Sequence, residues 1–378
     1  MTETPSIAFV WAQFAPYHAD RCIAVANCLG SNWQVHGIEI ADRSRTYTWA
    51  PARGDGSYHH ETLFPGRNAE AVPTWRRLGR LWPRLRSCQT VFLCNYERPE
   101  TFLLAWVLRW RGVRVVLMFD STAADKPRWA GRERLKSAAL APYCAFLVAG
   151  PASHAYLRAL GAGDRPVAYG YDTLDTSRIR AEAAAPPAPD GSAHTERVFL
   201  VVARFVAKKN LDTVLDAYGR YHAQTTAKGR KPRPLWLCGD GPLRPELEAR
   251  AAREAADGIR FLGFRQPHAV SALLAHALAL LLPSWSEPWG LVVNEAFAMG
   301  VPALVSNRAG AAQDLVRDGE SGHLLDPAAP AAWADAMTRL DRDAEHWRHL
   351  AAGARSDAGR GDVRHFAEGV AALLESPA

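Results

Sequence analysis

Twice along this chain of 378 residues, short apolar runs alternate with amphipathic helical stretches. That alternation admits few folds. In the first half strands are predicted at 7–12, 34–39, 91–94, 114–119, 145–149 and 166–169, with helices over 21–29, 99–111 and 151–160. In the second half strands are predicted at 198–203, 235–238, 259–262, 277–282, 303–306 and 323–325, with helices over 211–223, 243–256, 269–276 and 292–298. Strands this short, each followed by a helix, run parallel, because parallel neighbours need a crossover connection. Their uninterrupted apolar character suits sheets covered on both faces. The fold class expected is α/β, with two Rossmann-like domains whose parallel sheets face a central cleft.

A boundary is expected at residues 181–195, AEAAAPPAPDGSAHT, where Ala, Pro and small polar residues carry no core pattern. This linker separates a domain over 1–180 from one over 196–355. Residues 356–378 read as a C-terminal helix with Phe366, Val370, Leu373 and Leu374 on one side. That side needs cover and is expected to pack back towards the first domain.

Charge is unevenly distributed. Residues 1–176 hold 21 Lys and Arg against 15 Asp and Glu, so they carry the whole net charge of +6. Between Arg67 and Cys88, six arginines are interleaved with Trp75, Leu78, Leu81, Trp82 and Leu85. Such a helix suits either an anionic membrane surface or a domain core with a solvated basic side. No nucleic-acid-binding module accompanies the charge. The six cysteines include no CxxC pair and read as free thiols. No apolar run is long enough to span a bilayer, and the N-terminus lacks the pattern of a signal peptide. Cytoplasmic residence is expected, with the inner face of the membrane as a contact.

The segment LLPSWSEPWGLVVNEAFAMG, 281–300, carries the most chemistry. An apolar strand runs into a polar turn and then a helix starting near Gly290. The N–H groups of Gly290 and Leu291 sit where a helix N-terminus can seat a phosphate. Glu295 shares a helix face with Leu291 and can reach a group such as a ribose diol. Glu287, on the preceding loop, can meet what lies on the other side of a diphosphate. Alternatively the two are a loop carboxylate and a surface helix residue. After the strand at 198–203, Arg204, Lys208 and Lys209 form a cationic loop suited to a diphosphate leaving group, or to solvent. WLCGDGPLRPELE contains a tight strand-to-helix turn in which Asp240 caps. FLGF brings Phe264 and its backbone to a strand end where a flat base can approach.

In order, RFVAKKN, GDGP, FLGF, EPWGLVVNEAFAMGVP and AGAAQDLVRDGESGHLLDP resemble the successive motifs of family-4-type retaining glycosyltransferases of the GT-B fold. The resemblance spans Val198 to Pro327 and includes the Glu-x7-Glu pattern as Glu287 and Glu295. Trp289, counted with the donor-binding residues, stands where that family often has Phe. The resemblance implies that Arg204 and Lys209 bind the donor diphosphate, Glu287 the donor-sugar hydroxyls and Glu295 the ribose. It implies a nucleotide-diphosphate sugar of UDP, GDP or ADP type as donor and no required cofactor or metal. Displacement would occur on the front face with retention, the leaving phosphate helping to remove the acceptor proton. Asp341-Arg342-Asp343 spells the DxD of metal-dependent transferases but falls in a helical segment, and solvent exposure is expected for it.

The first half resembles the family less. WAQFAPYHADRC lacks the glycine pair often found at its first loop. Gln13, Tyr17, His18 and Arg21 are acceptor-site candidates there, with helix initiation the competing role for His18. Asp120, in LMFDST, stands where many members have a His, and either binds sugar hydroxyls or caps a helix. The function implied is transfer of a hexose-type sugar to a saccharide, glycolipid or small-molecule acceptor bound by the first domain, the second binding the nucleotide sugar. A GT-B-fold nucleotide-sugar epimerase and a non-catalytic nucleotide-sugar-binding protein are the alternatives.

Overall fold

A computed structural model describes residues 4–46, 48–52, 54–94, 96–125, 128–254 and 258–376. The final residues of the helix predicted over 243–256, Ala255 and Ala256, lie outside the described residues, as do the two ends of the chain. Two compact units divide the polypeptide: Met1–Asp175 with Val363–Ala378, and Thr176–Asp362.

The first unit runs β1 (Ser6–Trp11), α1 (Pro16–Leu29), β2 (Gln34–Glu39), β3 (His59–Thr62), α2 (Thr74–Leu85), β4 (Thr90–Leu93), α3 (Pro99–Trp110), β5 (Arg114–Phe119), α4 (Ala130–Ala139), β6 (Ala145–Val148), α5 (Pro151–Ala159) and β7 (Val167–Tyr169). The second contains α6 (Thr176–Ala183), β8 (Val198–Val202), α7 (Leu211–Ala227), β9 (Leu235–Cys238), α8 (Arg244–Glu254), β10 (Ile259–Gly263), α9 (Pro267–Ala275), β11 (Ala277–Leu282), α10 (Val292–Ala298), β12 (Ala303–Ser306), α11 (Gly310–Asp314), β13 (Gly322–Leu325), α12 (Pro330–Arg342) and α13 (Ala344–Asp357). The last helix, α14 (Arg364–Glu375), returns to the first unit.

The first sheet has the order β3-β2-β1-β4-β5-β6-β7 and the second β10-β9-β8-β11-β12-β13. Every pairing in both is parallel. The α/β class and the doubled Rossmann-like pattern expected above are therefore observed. Strand β3 was not foreseen, because its sequence HHET is polar and only partly buried at a sheet edge.

Alternate residues of the first sheet feed two cores. Ala8 and Val10 of β1 join Leu81 and Leu85 of α2 and Leu104 and Leu108 of α3 on one face. Ile7, Phe9 and Trp11 join Cys22 and Val25 of α1 and Phe366, Val370 and Leu373 of α14 on the other. The apolar side of α14 thus finds its cover on the first sheet. In the second unit β11 is buried at all six positions, ALALLL, as a central parallel strand must be. The segment expected as a linker over 181–195 begins inside α6. It also contains Ala188, which is fully buried in the second unit's core.

Ligands of open parallel sheets bind beyond the carboxyl ends of the strands, where the strand order reverses direction. In the second sheet that point lies between β8 and β11, and in the first between β1 and β4. No helix among the described residues is long and apolar enough to cross a membrane.

Candidate active site

The loops leaving β8 and β11 carry the cationic and acidic candidates to this switch point in the second unit. Lys209 Nζ donates to Glu287 Oε2 in a close ion pair. Ser284 Oγ donates to the same oxygen at 3.2 Å. Glu287 is 9% exposed, so its carboxylate is held in place by these partners while keeping acceptor capacity. Arg204 and Lys209 are partly buried, whereas Lys208 is exposed. The Lys208 carbonyl accepts from Trp285 N–H at 2.9 Å, tying the two loops together.

Asn210 makes this arrangement possible. Its φ of 51° is left-handed, a conformation that Asn tolerates better than most residues. From there its buried Nδ2 donates to Pro283 O at 3.1 Å and Pro327 O at 2.9 Å. Thr213 Oγ1 adds a bond to Pro327 O at 2.8 Å. One side chain therefore joins the loops after β8, β11 and β13. Sequence reading passed over Asn210 and Ser284; the only local signal was an Asn ending RFVAKKN before a helix.

Two glycines allow the loops to close. A Cβ on Gly310 would lie 2.0 Å from Pro288 O. The bare backbone instead lets Gly310 N–H donate to Glu287 O at 3.0 Å. Gly290 has φ 104°, and a Cβ there would lie 2.8 Å from Leu282 Cδ2. Neither Gly290 N–H nor Leu291 N–H donates to an acceptor among the described residues. Both stand at the start of α10, free to meet an anion.

Glu295 is partly buried in the first turn of α10. Burial pushes its carboxyl up to about 7, with Arg178 opposing the rise and Glu182 adding to it. These two α6 residues pair with each other at 2.8 Å, so they supply little net charge to the carboxyl. Phe264 is 40% exposed directly after β10, accessible to a planar group.

Several expectations need correction. Trp289 is not a ligand-facing aromatic: it is 5% exposed, and its Nε1 donates to Asn294 Oδ1 at 3.0 Å. Its indole fills the core beneath the loop. His18 takes the helix-initiating role. Its Nδ1 accepts from Ala15 N–H at 2.9 Å and its ring stacks on Trp11. Burial, reinforced by Arg21, holds its pKa well below the ordinary value, which leaves a neutral ring. Arg21 is likewise enclosed, donating to Thr173 O at 3.1 Å and Asp172 Oδ1 at 3.3 Å. Asp341 is not solvated: it accepts from Arg233 Nε and from Tyr221 O–H at 3.0 Å. Asp343 caps α13 through His346 N–H at 2.8 Å.

Asp120 follows β5 and lines a cavity of about 220 Å³ in the first unit, with Tyr96, Arg98, Thr122, Lys136 and Tyr156. Its main-chain oxygen accepts from Ser153 Oγ at 2.9 Å. The first loop of that unit is organised by Glu39, unnoticed in the sequence. Its buried carboxylate accepts from Phe14 N–H at 2.7 Å and Thr62 Oγ1 at 2.6 Å. Among the described residues no His, Cys, Asp and Glu gather in a group of three that can hold a metal ion.

Comparison with known proteins places this geometry. Residues 187–357 match the family described as glycosyl transferases group 1. The chain is 31% identical over 149 residues to alpha-D-kanosaminyltransferase of Streptomyces kanamyceticus, covering 39% of this chain and 37% of that protein. It is 30% identical over 166 residues to N-acetyl-alpha-D-glucosaminyl L-malate synthase of Bacillus anthracis, covering 44% and 41%. It is 39% identical over 114 residues to D-inositol 3-phosphate glycosyltransferase of Corynebacterium glutamicum, covering 28% and 27%. The matched segments thus span less than half the length of these relatives. Among solved structures, HepE of Anabaena, in complex with UDP and glucose, aligns with a TM-score of 0.73 at 17% identity, covering 99% of this chain and 100% of its own. The E. coli trehalose-6-phosphate structure bound with UDP-2-fluoro glucose aligns with a TM-score of 0.74 at 14% identity, covering 98% and 99%. These likenesses establish the GT-B fold.

Proposed function

From the match of residues 187–357 to the glycosyl transferases group 1 family, we propose that this chain is a glycosyltransferase moving a sugar from a nucleotide-diphosphate sugar to a saccharide, glycolipid or small-molecule acceptor. The observation carrying the proposal is the ion pair of Lys209 with Glu287 at the β8/β11 switch point. Departure of a nucleoside diphosphate builds negative charge on its terminal phosphate. Lys209 and Arg204, beyond the end of β8, are positioned to stabilise that charge. The N–H groups of Gly290 and Leu291 add two uncharged donors at the start of α10.

Glu287 is fixed by Lys209 and Ser284, and its remaining lone pairs suit hydroxyl groups of the donor sugar. The same carboxylate holds the Lys209 ammonium in place, so sugar recognition and leaving-group stabilisation share one pair. Glu295 is assigned to the ribose diol and Phe264 to the base. The neutral, enclosed imidazole of His18 is left out of the chemistry. Asp120 is assigned to acceptor or donor hydroxyls, on the strength of its cavity in the first unit. Retention without a metal follows as a further part of the proposal, the departing phosphate taking the acceptor proton. The relatives are named for transfer of sugars, and nothing in the site favours epimerisation.

Nucleotide ligands in both structural neighbours make UDP-sugars the first donors to test. A thermal-shift screen of UDP-, GDP- and ADP-sugars should raise the melting temperature for one nucleotide, since a ligand binding only the folded state stabilises it. Incubating that donor with candidate acceptors should release free nucleotide and form a glycoside with the donor's anomeric configuration. Interconversion of the donor sugar with no acceptor and no nucleotide release would overturn the reading.

A further inference from the structure

Helix α3 is apolar on two sides. Leu104, Ala105 and Leu108 are buried, all three in the first unit's core. Leu103, Trp106, Val107 and Trp110 are 49%, 45%, 44% and 83% exposed. At about 100° per residue, these four fall within an arc of about 100° directed away from the buried three. A helix on the surface of a globular unit ordinarily turns polar residues outward, and an exposed apolar stripe rimmed by polar groups marks an interaction surface.

The rim is cationic. Arg109 and Arg111 are exposed and lie roughly a quarter-turn to either side of the stripe. Residues 71–119 contain nine arginines against two glutamates, and neither glutamate offsets the rim. Glu100 is buried in its pair with Arg77, and Glu97 lies 3.8 Å from Lys136. On α2, which packs beside α3, Trp75, Arg76 and Arg80 are exposed as well. By contrast Leu78, Leu81, Trp82 and Leu85 of α2 pack on the core, so the stripe on α3, and not the apolar side of the segment from Arg67 to Cys88, is the available surface.

We propose that the exposed stripe of α3 docks on an anionic lipid bilayer, Trp106 and Trp110 entering the interface while Arg109 and Arg111 meet lipid phosphates. Tryptophan pairs an apolar ring with an N–H donor and partitions to this depth, and arginine beside it gains from the negative surface potential. A second copy of the chain is a poorer occupant, because two arginine rims would face each other. The inference goes beyond sugar transfer and does not depend on it.

The test uses the full chain with vesicles of phosphatidylcholine alone and of phosphatidylcholine with phosphatidylglycerol, read by co-sedimentation. Binding to the anionic vesicles should exceed binding to the neutral ones by about tenfold or more at low salt and decline as salt is added. Trp106→Ser with Trp110→Ser should lose about tenfold of that binding while keeping its melting temperature and its thermal shift with nucleotide sugar. If the double variant melts early, Trp110→Ser alone, at the most exposed position, supplies the comparison. Equal retention on both vesicle types would overturn the proposal, as would a folded variant that binds like the parent. So would a parent dimer in sedimentation velocity that the variant loses while lipid binding is absent. A failed donor screen would leave this result unaffected.

Discussion

Lys209 and Glu287 stand 78 residues apart, yet the lysine ammonium donates directly to the glutamate carboxylate. They leave the carboxyl ends of adjacent parallel strands, β8 and β11, at the point where the strand order reverses. Each enters the site already oriented by the other, which limits the reorganisation needed when a charged donor binds.

Lys209→Ala should lower kcat by about 10²-fold or more, since it removes a cation aimed at developing charge. It also leaves a buried carboxylate supported mainly by Ser284. Glu287→Gln, which keeps shape and removes charge, should cost less stability than Lys209→Ala. Steady-state kinetics and denaturant melts of both single variants and the Lys209→Ala, Glu287→Gln double variant check this. Losses that simply add would contradict the coupling.

Glu295 sets a pH dependence of stability. Its carboxyl titrates near 7 in the folded chain against an ordinary value of 4.5. Between these values the folded state holds the proton more tightly, so the stability this group contributes is complete below about 4.5 and is lost as pH rises to about 7. A span of that size corresponds to roughly 3 kcal/mol. Glu295→Gln should therefore be the more stable protein at pH 8 and nearly equal at pH 4.5. Parallel melts across that range measure it.

Asn210→Ala removes the donor to two buried carbonyls and puts in a left-handed position a residue that tolerates it less well than Asn. A loss of about 3 kcal/mol is expected in urea unfolding, together with a higher KM for the donor as the loops separate. Asn210→Gly relieves the backbone cost but not the lost bonds, and should fall between the two.

Gly310→Ala should displace the loop that carries Glu287, because the new methyl would meet Pro288 O at 2.0 Å. Lower stability and lower turnover are expected together. Gly79→Ala serves as the contrast. Gly79 lies inside α2 with nothing within 4 Å of its added Cβ. That change should stabilise the chain by about 0.5–1 kcal/mol with activity unchanged.

Much of the fold was legible because apolar runs such as ALALLL and VFLVV are required of strands buried on both faces. The edge strand β3 escaped that rule, since an edge needs no apolar run. In the site, Glu287, Lys209 and Arg204 announced themselves through charge placed directly after strands. Trp289 misled because the family resemblance sets it among the donor-binding residues, and a motif does not reveal that the indole is buried. His18 posed the same difficulty, with nothing in PYHAD to distinguish an exposed imidazole from one stacked on Trp11.

By itself the sequence determined the parallel α/β class, the two sheets and which loops follow which strands, because periodicity and spacing are local properties of the chain. Only the tertiary structure decided which loops meet. Pairing of β8 with β11 brings Lys209 to Glu287, Asn210 reaches carbonyls 73 and 117 residues away, and α14 covers a sheet laid down at the other end of the chain. Those choices follow from crossover connections and from burial shared between distant segments, neither of which is written in any one stretch of residues.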